Sequence, residues 1–257
     1  MGEHTVRSFD EELQHVDQVI RDMGDLSATM VANAIRALLS SDQPLAQNVI
    51  ADDTIMDARQ RDLDNSAITL IAKRQPMAQD LRAVVGAIRM AGDLERIGDL
   101  AKNIAKRVGA VGQSAMPRNL SHSIDAMAQL VLGQVRGVVD LYVARDAEGL
   151  KNLRADDQKV DVQYTAVFRE LLTYMMEDPR NITACTHLLF CAKNLERIGD
   201  HVTNIAENAY FVVTGTQLPL NRPKVDETTS PVSFGAGALH RLNQRMVRTG
   251  PCARTRY

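Results

Sequence analysis

Apolar residues recur at spacings of three and four from about Ser8 to Ser40: Phe9, Leu13, Val16, Val19/Ile20, Met23, Leu26, Met30, Ala34 and Leu38. That period predicts one amphipathic helix of about eight or nine turns. Asp42-Gln43-Pro44 interrupts it, with Asp42 placed to cap a second helix and Pro44 tolerable in its first turn. The second helix runs to about Lys73, Gln75-Pro76 turns the chain, and a third continues to about Val108. Gly109, Gly112, Ser114 and Pro117 then read as a linker. A fourth helix is expected from about Asn119 to Ala144, and a fifth, capped by Asp146, from there to about Glu177. Asp178-Pro179 reads as a cap followed by proline at the first position of a sixth helix, which ends near Val213.

The second half repeats the first. At an offset of 104, Met23 matches Met127, Asp42 matches Asp146, Ala51-Asp52-Asp53 matches Ala155-Asp156-Asp157, and Asp57 matches Asp161. Past the second turn the offset falls to 101, where Leu94-Glu95-Arg96-Ile97-Gly98-Asp99 reappears as Leu195-Glu196-Arg197-Ile198-Gly199-Asp200. The period is too long for a solenoid unit. The expected fold is therefore all-α, with two tandem, pseudo-symmetric three-helix bundles built from six long antiparallel helices. The first spans 5–110 and the second 118–215. Residues 216–257 read as a tail, disordered by composition, with five arginines and no acid from Phe234 onward.

Composition narrows the reading without redirecting it. Aromatics are only 4% with no Trp, while Ala and Met are plentiful, a profile that suits packed helices better than sheets. A net charge of −2 predicts no strong attraction to nucleic acid or anionic lipid. No apolar run approaches the roughly 20 residues needed to span a bilayer. Met1-Gly2-Glu3-His4 leads into no hydrophobic segment, so a signal peptide is not expected. Cys185, Cys191 and Cys252 form no disulfide framework, and the first two are expected as small core residues. A cytoplasmic location is the default.

The candidate chemistry lies in the acids. On a helix, Glu95, Asp99 and Asn103 form one stripe, as do Glu196, Asp200 and Asn204. Each repeat holds a second acid pair on its middle helix, Asp53 with Asp57 and Asp157 with Asp161. Asp57 lies 19 residues before Pro76 and Glu95 lies 19 after it; for Asp53 and Asp99 the distance is 23 each. From Pro179 the second set gives 18 and 17, then 22 and 21. In an antiparallel hairpin, equal distances from the turn mean equal height, here about 29 Å from the turn. Two carboxylate pairs should face one another in each bundle.

Four like charges at one level repel unless something compensates. Ligation by oxygen alone, without His or Cys, points to Mg²⁺, Mn²⁺, Ca²⁺ or an iron cluster. The competing arrangement is a salt-bridge network supplied by Arg59, Arg61, Arg96 and Arg197. Gly98 and Gly199, between the acidic stripe and the apolar face, fit close helix approach at a cost of roughly 1 kcal/mol each. Glu12-Leu13-Gln14-His15 is the one Glu-x-x-His near an apolar stripe and is expected to be incidental, because a di-iron bundle needs two. No nucleophile–base pair or Gly-rich phosphate loop is evident, so the expected protein is not an enzyme.

Two copies of Leu-Glu-Arg-Ile-Gly-Asp-x-x-x-Asn-Ile, each ending a three-helix repeat, make the chain resemble the PhoU family of phosphate-uptake regulators over about residues 5 to 225. The resemblance implies a cytoplasmic accessory protein of phosphate-specific transport that acts as a negative regulator of the phosphate regulon. It implies two partners, the phosphate ABC transporter's ATPase and a membrane sensor histidine kinase, and no membrane contact except through them. It also implies metal binding (Mg, Mn or Fe) at Asp53/Asp57 with Glu95/Asp99 and at Asp157/Asp161 with Glu196/Asp200. Arg96, Asn103, Arg197 and Asn204 are weaker candidates for partner or supporting contacts. Met-rich amphipathic helices permit a homodimer. The rival readings are a carboxylate-bridged metal-storage or redox protein and a metal-free helical scaffold.

Overall fold

A computed structural model of the chain describes residues 2–111 and 118–219, with side chains from residue 11 onward except that of Arg118. Most of the expected tail, from residue 220 on, and Cys252 lie outside the described residues. Eight helices make up the described part: α1 (Gly2–Ser40), α2 (Gln43–Arg74), α3 (Gln79–Ala105), α4 (Val108–Val111), α5 (Arg118–Val143), α6 (Ala147–Ala155), α7 (Asp157–Glu177) and α8 (Ile182–Thr214). They are the six expected rods with two changes. The third helix ends at Ala105 and restarts for one short turn, and the fifth is broken at Asp156. There the Asp156 N–H donates to both Asn152 and Leu153 carbonyls, a tightening toward the 3₁₀ pattern that ends α6. Periodicity carried no sign of this break, because the apolar spacing continues across it.

The starts of the helices follow the caps. The Asp42 carboxylate accepts from the Leu45 N–H at 3.0 Å, and the Asp146 carboxylate from the Gly149 N–H at 2.9 Å. Just before each cap sits a left-handed residue, Ser41 and Arg145, both at φ 55°. The repeat thus extends to backbone conformation at positions 104 apart. Asp178 accepts from the Arg180 N–H at 2.9 Å, opening a 3₁₀ turn (Pro179–Asn181) that leads into α8.

Apolar stripes from every long helix share one core. α3 packs on α1, α2 and α8, while α8 packs on α3, α5, α6 and α7, so α3 and α8 are the central pair joining the two bundles. They run antiparallel: Arg107 stacks 4.3 Å over the Phe190 ring, Asp93 meets His201 and Asn204, and a Cβ on Gly86 would lie 2.2 Å from Val212 Cγ2. A second tie joins α1 to α5, where Asp17 accepts hydrogen bonds from the Tyr142 hydroxyl and from Arg145. Cys185 and Cys191 are buried, as expected, and burial pushes the Cys191 thiol up to about 12. No described helix is long and apolar enough to cross a membrane.

Candidate functional site

The buried stripe of α2 reads Ala46, Val49, Asp53, Met56, Leu63, Ala67, Leu70. Asp53 therefore occupies a core-facing position in an otherwise apolar row, which is costly for a carboxylate without a partner. The partner comes from α3. Lys102 Nζ donates to Asp53 Oδ2 at 2.6 Å and to Asp99 Oδ1 at 2.6 Å. Arg96 donates to Asp99 Oδ2 at 2.9 Å and approaches Glu95 at 3.4 Å.

Electrostatics show that the four acids of the first repeat share one neighbourhood. Burial raises the Glu95 carboxyl above its usual range, and the charges of Asp99, Asp57 and Asp53 raise it further against the pull of Arg96. Burial acts on Asp99 in the same direction, but its bonds to Lys102 and Arg96 outweigh this and hold it below the ordinary value. Burial pulls Lys102 down, and the hydrogen bonds it donates to Asp53 and Asp99 more than reverse that. Equal counting from the turn did place Asp53, Asp57, Glu95 and Asp99 together. The arginine network, by contrast, is only partly there. Arg96 joins the cluster, but Arg59 donates to the Asp22 carbonyl and Arg61 to the Asp57 carbonyl. Lys102 is the residue that sequence reasoning missed. Its signal was local, since a lysine three residues after Asp99 shares its face.

The second cluster is more enclosed. Asp157, Asp161 and Glu196 are all buried, at 5%, 6% and 6% exposure, and Asp200 is half-buried. Lys193 contacts Glu196 Oε1 at 2.9 Å and its ammonium lies 5.0 Å from the Tyr164 ring of α7, so this cluster too has a lysine beside it. Position 203, equivalent to Lys102, holds Thr203, whose hydroxyl is turned back to the Gly199 carbonyl at 3.1 Å. The break at Asp156 puts Asp157 in the first turn of α7.

The two glycines of the repeated motif do different things. A Cβ on Gly98 would meet Met56 Cγ at 3.3 Å and Met30 at 3.5 Å. A Cβ on Gly199 would meet Asp157 Oδ1 at 3.0 Å, Val160 at 3.6 Å and Gln134 Oε1 at 3.7 Å. At the offset of 104, Met30 is equivalent to Gln134 and Met56 to Val160. In the first repeat, then, methionine closes the space over the glycine. In the second, a carboxylate and an amide oxygen occupy it, and that buried amide oxygen has no hydrogen-bond partner among the described residues.

A family-implied cation can be tested against these surroundings. Among the described residues no three of His, Cys, Asp and Glu converge on one point as a ready-made cage. The donor set of the second cluster, carboxylates with the Gln134 amide oxygen beside Gly199, is of the oxygen type that suits a hard cation, and Lys193 shares it through its contact with Glu196. The first cluster already contains an ammonium between two of its acids.

The remaining sequence candidates fall outside the clusters. Asn204 crosses to the other repeat, donating to Asp93 at 3.3 Å beside the His201–Asp93 pair at 2.9 Å. Asp93, Glu95 and Arg96 of α3 and Asn204 of α8 line a cleft of about 580 Å³ between the repeats. Arg197 is exposed and Asn103 half-buried. Glu12 is held by a bidentate pair with Arg74 at 2.9 and 3.0 Å, a structural contact that absorbs the lone Glu-x-x-His.

Comparison with known proteins places these features in context. The profile of one family, the PhoU domain, matches twice, at residues 20–108 and 124–209, one match per repeat. The chain is 55% identical over 227 residues to a phosphate-specific transport system accessory protein PhoU homolog of Rhizobium meliloti, covering 88% of this chain and 96% of that one. It is 49% identical over 226 residues to a protein of the same description from Caulobacter vibrioides, covering 88% and 98%. Among solved structures, it resembles PhoU from Pseudomonas aeruginosa with a TM-score of 0.77 at 35% identity, over 81% of this chain and all of that one. It also resembles the phosphate transport system regulatory protein PhoU from Streptococcus pneumoniae, with a TM-score of 0.76 at 27% identity over 82% and 100%.

Proposed function

Because this chain belongs to the PhoU domain family, we propose that it is the accessory protein of a phosphate-specific transport system and a negative regulator of the phosphate response. It acts as a non-enzymatic cytoplasmic adaptor between the transporter's ATPase and a sensor histidine kinase. The observation that supports an adaptor is the doubled acidic cluster, partly buried and partly exposed, between α2 and α3 in one bundle and between α7 and α8 in the other. Asp157, Asp161, Glu196 and Asp200 would hold a divalent or iron-type cation. Such an ion would neutralise their mutual repulsion and fix α7 against α8. The chain's own groups do the rest. Gly199 leaves room for the Asp157 carboxylate, and the Asp93–His201–Asn204 contacts hold the repeats in register across the cleft.

Deleting the gene should derepress phosphate-starvation genes in phosphate-rich medium, and expression from the intact gene should restore repression. Unchanged expression after deletion would refute the regulatory reading. The metal-storage alternative is disfavoured by the fate of Glu12, which is engaged by arginine and so cannot complete a Glu-x-x-His site.

A further inference from the structure

The repeat creates two equivalent places along the α3–α8 pair, and the side chains treat them differently. At the offset of 101, Phe190 and Arg107 on one side correspond to Arg89 and Asn208 on the other. On the first side the Arg107 guanidinium lies 4.3 Å over the Phe190 ring with its Nε buried, so cation and ring complete each other. On the second side lies the open cleft of about 580 Å³, with Arg89, Asn208 and Phe211 in its lining. The Asp93–Asn204 and Arg107–Phe190 contacts fix the antiparallel register, which puts Arg89 level with Asn208 and Phe211 about one turn beyond.

The acids that line this cleft are already paired. Asp93 is held by His201 and Asn204, Glu207 lies 2.7 Å from Arg154, and Glu95 approaches Arg96 at 3.4 Å. Arg89, by contrast, is exposed and meets no carboxylate or ring among the described residues, and the half-buried Phe211 ring has no stacking partner among them. Between Arg89 and Arg96 the floor is bare, since a Cβ on Gly92 would meet nothing within 4 Å. Gln217 and Leu218 form the far wall. Gly215, at φ 75°, ends α8 and turns the chain back, and Arg154 fixes the returning segment by donating to the Pro219 carbonyl at 2.8 Å.

We propose that the cleft binds a nucleotide, with Arg89 taking a phosphate and Phe211 and Leu218 taking the base. The ligand supplies from solution what Arg107 and Phe190 supply to each other on the equivalent side: an anion for the guanidinium and a flat ring for the phenylalanine. A guanidinium matches phosphate oxygens with two parallel N–H donors, and every base has a face that stacks on an aromatic side chain. The amides of Gln60, Asn208 and Gln217 carry both donors and acceptors, as a base edge or ribose requires. The volume falls within the range of about 300–1,000 Å³ usual for small-molecule sites. Free phosphate would satisfy Arg89 and leave the ring uncovered, whereas an uncharged nucleoside would do the reverse. Because α3 and α8 join the bundles, the occupant touches both repeats at once. The proposal goes beyond the regulatory reading and depends on neither it nor the acidic clusters.

The test is isothermal titration calorimetry on the full chain with AMP, ATP, adenosine and inorganic phosphate, in EDTA so that no metal bridges a phosphate to the acidic clusters. Wild type, Arg89→Gln, Phe211→Leu and, as a control outside the cleft, Arg197→Gln are compared, with circular dichroism confirming each fold. AMP or ATP should bind wild type and Arg197→Gln alike, and at least about tenfold more tightly than adenosine or inorganic phosphate. Arg89→Gln should weaken that binding about tenfold or more, and Phe211→Leu by several-fold. No saturable binding of either nucleotide at about 1 mM would overturn the proposal. Inorganic phosphate or adenosine binding as tightly as AMP would overturn the pairing of anion with ring. Nucleotide binding unchanged in Arg89→Gln would place the ligand elsewhere and overturn the site, and that arm stands even if Phe211→Leu fails to fold, because Arg89 is exposed.

Discussion

Removing the Lys102 charge should cost stability in a way that depends on pH. In Lys102→Met the stem is largely kept and the ammonium lost. Asp53 and Asp99, with side chains 12% and 27% exposed, then face Glu95 and Asp57 with Arg96 as their remaining cation, itself 61% exposed. Breaking a fully buried ion pair costs about 3–5 kcal/mol, and exposed pairs contribute less than about 1 kcal/mol. This half-buried three-way contact should fall between, at about 2 kcal/mol near pH 8. The sign of the pH dependence follows from the carboxyls. In wild type, Asp99 is held below its ordinary value, so its contribution is present above that value and fades as pH falls through the lowered one. In the variant, uncompensated acids titrate above their unfolded values, as Glu95 already does. The folded state then binds protons more tightly, and stability rises as pH falls through that raised range. The difference between the two proteins should shrink to below about 1 kcal/mol near pH 5. Urea unfolding followed by circular dichroism at both pH values measures it. A difference under about 0.5 kcal/mol at pH 8, within the range of an ordinary surface change, or one equal at both pH values, would refute the reasoning.

Other consequences are local. Gly86→Ala should destabilise by about 1–3 kcal/mol because Val212, a branched side chain with little freedom, lies 2.2 Å from the new methyl. Gly92→Ala and Gly133→Ala, with nothing within 4 Å, should each stabilise by up to about 1 kcal/mol in the same melts. Asp42→Ala and Asp146→Ala should each cost about 1 kcal/mol by removing equivalent caps, and their effects should add, which the double variant checks. Gln75→Gly should raise the melting temperature slightly, since Gln75 caps α2 at φ 50°, a conformation glycine adopts without strain.

The parts of the fold visible in the sequence were those set by short-range physics. Period-3.6 apolar stripes placed the long helices, and Asp42, Asp146 and Asp178 marked their starts because a capping carboxylate acts within three residues. Counting from Pro76 located the first cluster because rise per residue is constant along a helix. What was not legible depended on neighbours brought in from elsewhere. Gly98 and Gly199 sit in identical motifs, yet one faces methionine and the other a carboxylate, a distinction written in α1 against α5 and in α2 against α7. The break at Asp156 left the apolar period undisturbed. Lys102 was legible in principle, three residues past Asp99, but its hold on Asp53 required the packed hairpin.

The central claim is that the second acidic cluster carries regulatory function beyond its role in folding. Its most direct test is complementation of a deletion strain, grown in excess phosphate with a phosphate-starvation reporter, by Asp157→Asn/Asp161→Asn protein that accumulates and melts like wild type. The reporter should stay derepressed with this variant and fall silent with the wild-type chain; full repression by the variant would contradict the account.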